Sequence, residues 1–206
     1  MDVNCKCVWL VMGVLENLRS YKILLASASP RRRELLSRLA IDFEVAPGRE
    51  VDESYPEDLP VEQVAQYLSK KKADAYRKDL AQDELLITAD TVVINQGKVL
   101  GKPLNPAEAS DMLRALSGHC HHVITGVSIS SIDRQVSFSV ETEVEFAVIE
   151  NDEIEFYVNQ FKPMDKAGAY GIQEWIGCMG VRAINGSFYN VMGLPLHRLY
   201  TELKNW

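Results

Sequence analysis

The stretch Leu85-Leu-Ile-Thr-Ala-Asp-Thr-Val-Val-Ile94 decides the fold, because it places one carboxylate, Asp90, in the middle of a buried strand. Its two flanks are apolar and rich in β-branched residues, as a buried strand requires. An ionised carboxylate without a cation or hydrogen-bond donors is costly to remove from water. Asp90 therefore predicts a metal ligand or a residue that activates water. The alternative is an aspartate at a strand edge or bulge that accepts hydrogen bonds from nearby backbone amides.

The elements around this strand predict an elongated, mixed α/β (α+β) single domain with a mixed central sheet and a cleft. Asn95-Gln96-Gly97 is a hairpin signal, and long hairpin-like pairs without strict βαβ alternation imply antiparallel pairing. Asn105 and Pro106 favour a helix start, and Asn151 or Asp152 is expected to cap a later helix. Strands are expected at 22–26, within 40–58, at 85–94, 121–132 and 135–149, helices at 31–39, 60–80, 105–118, 151–159 and 195–204, and little regular structure at 161–194.

Charge and composition exclude several classes of function for the 206-residue chain. A net charge of −7 argues against a general nucleic-acid binder, which would carry a basic face. The apolar run 7–15 is shorter than the ~20 residues of a membrane span. The four cysteines are scattered, so we expect reduced thiols in a cytoplasmic protein, and the alternative of a zinc site matches no standard spacing. We read 1–20 as an N-terminal extension, with Met12 as an alternative start, and 21–206 as the domain.

Basic residues in two segments suggest a site for an anion. Ser27-Ala-Ser-Pro-Arg-Arg-Arg33 follows a strand and opens a helix, whose free amides attract anions, and Arg31 and Arg32 add forked donors. Lys72 falls within the apolar stripe of the 60–80 helix, where a lysine is costly unless it meets an anion. A solvated basic turn and a lysine that reaches the surface remain the alternatives. The standard nucleotide fingerprints, the P-loop and GxGxxG, do not occur.

Further candidates lie in loops. Lys102, between Gly101 and Pro103, can reach the cleft of Asp90, although basic turns are common. Asp52-Glu53 is the carboxylate pair expected to join Asp90, because Mg²⁺ takes one or two carboxylates plus substrate phosphates; a plain acidic loop is the alternative. The glycine-rich segments 165–173 and 185–195 suit recognition of a planar polar ligand, or are structural loops.

Taken together, these segments resemble the Maf family of nucleoside triphosphate pyrophosphatases over about residues 21–202. The motifs that carry the resemblance are Ser27-x-Ser-Pro-Arg-Arg-x-Glu-Leu-Leu36, Ala89-Asp-Thr-Val-Val93, Gly101-Lys-Pro103, Thr125-Gly-Val127, Asp165 to Gln173, and Gly186-Ser to Gly193-Leu-Pro195. The resemblance implies an elongated, inosine-triphosphatase-like fold of two lobes around a nucleotide cleft. It also implies a hydrolase acting on phosphoric anhydrides, which converts a nucleoside triphosphate to the monophosphate and pyrophosphate with a divalent metal, Mg²⁺ or Mn²⁺.

The subfamily can be read from three positions. Arg31, Thr91 and Gln173 resemble members that act on dTTP and UTP, and the resemblance makes them specificity residues. It makes Asp90 the acidic catalytic residue and a metal ligand with Glu53. The remaining residues implied to line the site and bind phosphate are Ser27, Arg31, Arg32, Lys72 and Lys102. A homodimer, removal of modified pyrimidine nucleotides and a role in cell division arrest are further implications.

The rival readings come from other classes of protein. One is a nucleotide-binding regulator of septum formation without significant turnover. Another is a purine-directed pyrophosphatase, and a third is a nucleic-acid binder, which the net charge already disfavours. We expect no nucleic-acid or membrane partner.

Overall fold

The strand that contains Asp90 is the centre of a mixed seven-stranded sheet. The computed structural model describes residues 15–206. The strands are β1 (Lys22–Leu25), β2 (Glu44–Val45), β3 (Glu84–Asn95), β4 (Lys98–Leu100), β5 (Cys120–Ser130), β6 (Gln135–Phe146) and β7 (Val181–Asn185). Their order across the sheet is β2-β1-β3-β5-β6-β7, and β4 pairs with β3. β1 runs parallel to both of its neighbours, and the other pairs are antiparallel.

Helices cover this sheet and fill its connections. They are α1 (Pro30–Ser37), α2 (Val64–Arg77), α3 (Pro106–Leu116), α4 (Asn151–Phe161), α5 (Trp175–Gly180), α6 (Phe188–Val191) and α7 (Leu196–Lys204). Short 3₁₀ turns occur at Glu16–Leu18, Val61–Gln63, Pro163–Asp165 and Ala167–Ala169. Two starts follow the sequence signals closely, since Ser29 caps α1 and Asn105 caps α3, each with a proline in the first turn.

The alternation of side chains along β3 separates two hydrophobic layers. Leu85 packs into the main core, to which α1, α3, α4 and α7 contribute. Leu86 and Val92 point the other way and pack in two smaller clusters with residues of α2. Because neighbouring residues of a strand face opposite sides, Asp90 shares the α2 face with Val92, and Thr91 shares the face of the main core.

One edge of β3 is open where Asp90 lies. β1 pairs with β3 as far as Ile87, and β4 begins its pairing at Val93. Residues 88–92 therefore have a strand partner only on the β5 side, where Asp90 is in register with Gly126. Asp90 thus lies in regular strand without a bulge, beside a gap in the sheet that leaves room for a cleft.

The packing of α2 on the sheet depends on Gly126. A Cβ atom built there would lie 2.3 Å from the backbone carbon and oxygen of Ala65, far inside any tolerated contact. The helix can approach β5 this closely only because position 126 has no side chain. Ser69, on the same helix, accepts a hydrogen bond from Thr88 Oγ1 on its carbonyl at 2.7 Å. These contacts fix α2 along the part of β3 that contains Asp90.

The predicted mixed α/β fold with a mixed central sheet is confirmed. The Asn95-Gln96-Gly97 hairpin joins β3 to β4, with positive φ angles of 50° at Gln96 and 73° at Gly97. The pairing is not purely antiparallel, since β1 has two parallel neighbours. The strand expected within 40–58 is only Glu44–Val45, and the helix expected at 60–80 is a 3₁₀ turn followed by α2.

Two expectations about the second half of the chain are wrong. Residues 161–194 contain α5, β7 and α6, where little regular structure was expected. The sequence pattern does not indicate these three elements, because each is short and β7 is an exposed edge strand without an apolar alternation. Glu150, rather than Asn151 or Asp152, caps α4 in a capping box with Glu153. Asn151 lies in the first turn of the helix and accepts a hydrogen bond from Arg114.

The proposed N-terminal extension lies partly outside the described residues, as do Met12, Cys5 and Cys7. Within 15–20, Leu15 and Leu18 are buried in the main core, and Asn17 donates to the carbonyl of Leu203 at 2.8 Å. The boundary at residue 20 stays a prediction. None of the helices between residues 15 and 206 combines the length and the apolar character that crossing a membrane requires.

Gly126→Ala should destabilise the protein, because the new methyl group collides with the backbone of Ala65. We expect the free energy of unfolding to fall by about 1–3 kcal/mol, as overpacking typically does. Urea unfolding would measure the change. Gly48→Ala is the matched control, since nothing lies within 4 Å of a Cβ there. Equal stability of Gly126→Ala and the wild type would contradict the close packing of α2.

Candidate active site

A cleft of about 1360 Å³ opens where the edge of β3 is unpaired. The turn before α1, the loop at 45–55, α2, the Gly101-Lys102 turn and the 165–173 segment contribute to its walls. All nine residues singled out in the sequence line this one cleft: Ser27, Arg31, Arg32, Glu53, Lys72, Asp90, Thr91, Lys102 and Gln173. Their roles stay predictions, but the fold brings all of them together.

Asp90, Lys72 and Glu53 form a charge cluster on the α2 face of the sheet. Lys72 Nζ makes ion pairs with Asp90 Oδ2 and, at 2.7 Å, with Glu53 Oε1. The other oxygen of Asp90 accepts a hydrogen bond from the amide of Thr91 at 2.9 Å. Hydrogen bonding to Lys72 lowers the pKa of Glu53, against the opposing effect of burial. Two carboxylates thus share one ammonium, which offsets the cost of removing most of Asp90 from water.

The position of Lys72 follows from the apolar stripe of α2. Val64, Leu68 and Tyr76 are buried on the same helix, and Lys72 lies between the turns that carry Leu68 and Tyr76. Its neighbours point elsewhere: Lys70 pairs with Asp74 and Lys71 with Asp52. Among three consecutive lysines, only Lys72 reaches Asp90. Its ammonium meets the partly buried carboxylate, as expected for a lysine on the apolar face of the helix.

The pair Asp52-Glu53 is divided between two environments. Asp52 bonds to Ser54 and to Lys71 at the outer side of α2, and the hydrogen bonds from Ser54 and Lys71 lower its pKa. Only Glu53 joins Asp90. Of this pair, Glu53 is therefore the residue that can act with Asp90.

Arg32 is the most constrained cation of the cleft. Its guanidinium donates to the carbonyls of Gly193 at 2.9 Å and Ala89 at 2.8 Å, and to Thr91 Oγ1 at 3.0 Å. Burial lowers the pKa of Arg32, and the charge of Asp90 opposes that effect. Three of its five N–H groups are occupied, so two remain for a ligand. The side chain ties α1 to β3 and to the loop before α7.

Thr91 has a hydroxyl group that is fully engaged. It accepts from Arg32, and it bonds to Thr125 Oγ1 at 2.9 Å. Since Thr125 donates its own proton to the carbonyl of Asn190, Thr91 is the donor between the two threonines. Thr91 therefore acts on a ligand through Arg32 and the local backbone rather than through a free hydroxyl group.

Ser27 and Ser29 shape the start of α1. Ser29 Oγ accepts from the amide of Arg32 at 3.4 Å, and Ser27 Oγ accepts from the amide of Ser29 at 3.3 Å. Arg31 extends from the first turn and pairs with Asp165 at 2.8 Å. The anion-attracting end of the helix and one guanidinium group thus lie on the same wall of the cleft.

Lys102 and Gln173 are two exposed members of the set without a protein partner. Both line the cleft, and neither side chain makes a hydrogen bond or an ion pair with any residue between 15 and 206. An unpaired ammonium and an unpaired amide can bind a ligand without breaking a protein contact. Lys102 lies in the Gly101-Lys-Pro103 motif and Gln173 ends the 165–173 segment, so this wall of the cleft could be predicted from the sequence.

Sequence reasoning missed a second charged group on the cleft wall. Lys166 is buried, with a side chain 8% exposed, and pairs with Asp165 at 2.7 Å and Glu174 at 3.1 Å. Tyr157 on α4 donates to the other oxygen of Glu174. Lys166 lies in the motif from Asp165 to Gln173, but no pattern in the sequence indicates that this lysine is buried beside carboxylates. Tyr157 is distant in sequence and fits the ordinary apolar face of α4.

Asp90 and Glu53 are the oxygen donors that fit a hard divalent cation. They touch the same ammonium, so they are close enough to share one ion. In residues 15–206 no group of three or more His, Cys, Asp or Glu side chains is arranged to hold a metal. Mg²⁺ commonly takes one or two carboxylates and completes its shell with water and substrate phosphates. The donor set therefore fits Mg²⁺ or Mn²⁺ bound together with a phosphorylated ligand.

Cys120 and Cys178 are free thiols.

Comparison with known proteins identifies a family and several relatives. A family model described as Maf-like protein matches residues 22–206. A dTTP/UTP pyrophosphatase from Parabacteroides distasonis is 58% identical over 193 residues, 94% of this chain and 100% of that protein. One from Porphyromonas gingivalis is 53% identical over 195 residues, 94% and 98% of the two chains. A solved HAM1 protein from Coxiella burnetii aligns at 17% identity with a TM-score of 0.46, over 90% and 100% of the chains. The family match includes every cleft residue discussed above.

Arg32→Lys should weaken the fold around the cleft, because a lysine cannot replace three directed hydrogen bonds. We expect the free energy of unfolding to fall by about 2–3 kcal/mol, as loss of hydrogen bonds to a charged group does. Urea unfolding gives the value. Arg33→Lys is the control, since exposed Arg33 makes one hydrogen bond, to the carbonyl of Ala28. An Arg32→Lys protein as stable as the control would rule out this scaffolding role.

Proposed function

The chain belongs to the Maf-like family, and from that membership and the cleft we propose that it hydrolyses dTTP and UTP to the nucleoside monophosphate and pyrophosphate. The relatives named above carry this activity in their names and align with nearly the whole chain. The observation that supports the chemistry most directly is the Asp90–Lys72–Glu53 cluster, because it combines a partly buried carboxylate with a cation in a cleft that has room for a nucleotide.

Asp90 is the group that we assign to water activation. It is held in place by the amide of Thr91 on one oxygen and by Lys72 on the other. From this fixed position it orients a water molecule and accepts its proton as the water attacks the α-phosphorus. The bond between the α-phosphorus and the bridging oxygen breaks, and pyrophosphate leaves with that oxygen. The oxygen of the water remains on the monophosphate.

The phosphates are bound by cations from several elements. Lys102 is unpaired and exposed, so it can contact a phosphate without losing a protein partner. Lys72, Arg31 and the remaining N–H groups of Arg32 add positive charge along the same cleft. These donors stabilise the charge that develops on the leaving pyrophosphate. Ser27, at the start of α1, completes the phosphate-binding wall.

We also propose that the enzyme uses a divalent cation, Mg²⁺ or Mn²⁺, which Asp90 and Glu53 would hold. Such an ion supplies positive charge that neutralises the phosphate oxygens. The two carboxylates, close to the same ammonium, support an ion that is shared with the substrate.

Base recognition is assigned to Gln173 and Arg31, with Thr91 acting through its neighbours. The amide of Gln173 offers both a donor and an acceptor, as the polar edge of a pyrimidine requires. Arg31 is held by Asp165 beside the 165–173 segment. Thr91 orients Arg32 and the backbone next to Asp90.

We place the enzyme in the cytoplasm as a homodimer. The proposal also includes the removal of modified pyrimidine nucleotides and a role in cell division arrest.

A substrate panel tests the reaction. The purified protein should release pyrophosphate from dTTP and UTP in the presence of Mg²⁺ or Mn²⁺, with the monophosphate as second product, and more slowly from dGTP, dATP and dCTP. A coupled phosphate assay and chromatography of the products give both quantities. Nucleotide binding without product release would instead favour the regulator of septum formation. Release only from purines would keep the chemistry and overturn the assignment of Arg31, Thr91 and Gln173.

Asp90→Asn should lower kcat by about 10²–10⁴-fold, because an amide cannot accept the proton of the attacking water. The fold should persist, since the amide oxygen can still accept the hydrogen bond from Thr91. Steady-state kinetics with dTTP and circular dichroism report the two effects. Asp74→Asn is the control, since Asp74 pairs with Lys70 at the surface of α2. A well-folded, fully active Asp90→Asn protein would exclude Asp90 as the base.

A further inference from the structure

A cluster of charged and hydroxyl groups with a shielded centre lies at the wall of the cleft, separate from Asp90, Lys72 and Glu53. We call it the Lys166 cluster, and its members are Arg31, Asp165, Lys166, Glu174 and Tyr157. Lys166 Nζ contacts one carboxylate oxygen of each acidic residue, at 2.7 Å for Asp165 and 3.1 Å for Glu174. The second oxygen of Asp165 pairs with Arg31 at 2.8 Å. The reaction proposed above gives this cluster no role except through Arg31.

The interior of the cluster is strongly shielded from water. The side chain of Lys166 is 8% exposed and that of Glu174 is 20% exposed. Burial raises the pKa of Tyr157, and the adjacent Glu174 raises it further, so the tyrosine keeps its proton. Its hydroxyl therefore donates to Glu174 and accepts from the amide of Gly171 at 3.0 Å. Every hydrogen bond in the cluster has a defined direction.

The cluster holds both ends of the turn that carries Gln173. Gly171 is bonded to Tyr157 through its amide, and its carbonyl accepts from the amide of Glu174 at 2.9 Å. Gly171 also lies close to the Glu174 carboxylate, since a Cβ on it would be 2.8 Å from Glu174 Cδ. Gln173 thus stands in a four-residue turn whose first and last residues are both fixed by the Lys166 cluster.

We propose that Lys166, Glu174 and Tyr157 are positioning residues that determine base selectivity by fixing Gln173 relative to Arg31. The two cleft residues are 142 positions apart in the sequence (173 minus 31), and the cluster connects them through three side chains. The side chain of Gln173 makes no hydrogen bond within residues 15–206, so its position depends on its turn. The proposal rests on the proposed function, because it assigns Gln173 and Arg31 to the recognition of a pyrimidine.

Tyr157→Phe is the most specific test, because it removes one hydroxyl group and keeps the ring that stacks on Phe161. We expect kcat/KM for dTTP to fall by about tenfold relative to that for dGTP, mainly through KM, since a shift of a positioning group has effects of this size or larger. Asp90 is untouched, so kcat should change little. Tyr200→Phe is the matched control, because half-buried Tyr200 makes no side-chain hydrogen bond in the described part of the chain.

A double-variant cycle distinguishes positioning from simple support of the fold. If Tyr157 acts through Gln173, Tyr157→Phe should change selectivity less than twofold in a Gln173→Ala background, because coupled residues are not additive. Independent, multiplicative effects would overturn the proposal, and so would an unchanged dTTP:dGTP ratio in the single variant. If Tyr157→Phe does not fold, Glu174→Gln tests the same link, since it keeps the shape of the side chain and removes its charge.

Failure of the proposed function gives a different result from failure of this inference. If the wild-type protein releases pyrophosphate from no nucleotide, the proposed reaction is wrong, and the same variants are compared by calorimetric binding of dTTP and dGTP. A loss of binding preference in Tyr157→Phe then supports the positioning role, and an unchanged preference overturns it. If the wild type is active and the variant keeps its selectivity, only the inference fails.

Discussion

The close approach of α2 to the sheet at Gly126 is the constraint on which the site depends. The backbone of Ala65 occupies the space that a side chain at position 126 would need, so the helix lies directly against β5. From there, about two further turns along α2 bring Lys72 to Asp90, which faces Gly126 across the strand pair. A partly buried carboxylate in the middle of a strand is acceptable because this packing brings a cation to it. The packing of α2 at Gly126 therefore stabilises the fold and also positions Lys72 beside Asp90.

The two-residue period of β3 then assigns different tasks to adjacent residues. Asp90 faces α2 and the charge cluster, whereas Thr91 faces the main core and bonds to Arg32 and Thr125. The first side chain is available for chemistry, and the second holds α1 and the loop before α7 against the strand. Because a one-residue slip would exchange these faces, the register with β5 protects the site.

Local patterns predicted what depends on local structure. The buried strand with Asp90, the capped starts of α1 and α3 and the hairpin at Gln96-Gly97 all follow from residue type and spacing. The place of Lys72 followed from helical periodicity. What the sequence could not give depends on contacts between distant segments: the gap in the edge of β3, the hydrogen bonds that occupy Arg32, and the burial of Lys166. The irregular-looking 161–194 segment forms structure because tertiary packing stabilises elements too short to be recognised by propensity.

The distribution of charge in the cleft argues for a ligand that brings its own cation. Arg31, Lys72 and Lys166 are each paired with a carboxylate, and Arg32 is largely engaged with carbonyl and hydroxyl groups. Within residues 15–206, Lys102 is the cleft lysine without an ion pair. A bare triphosphate would therefore meet carboxylates as well as cations, at a cost that low local dielectric increases. A triphosphate bound to a divalent ion would offset this cost, because Asp90 and Glu53 would hold the ion while the lysines and arginines meet the phosphates. The acidic net charge of the chain is compatible with such a ligand, because the affinity for the ligand depends on the charges inside the cleft rather than on the total charge of the protein.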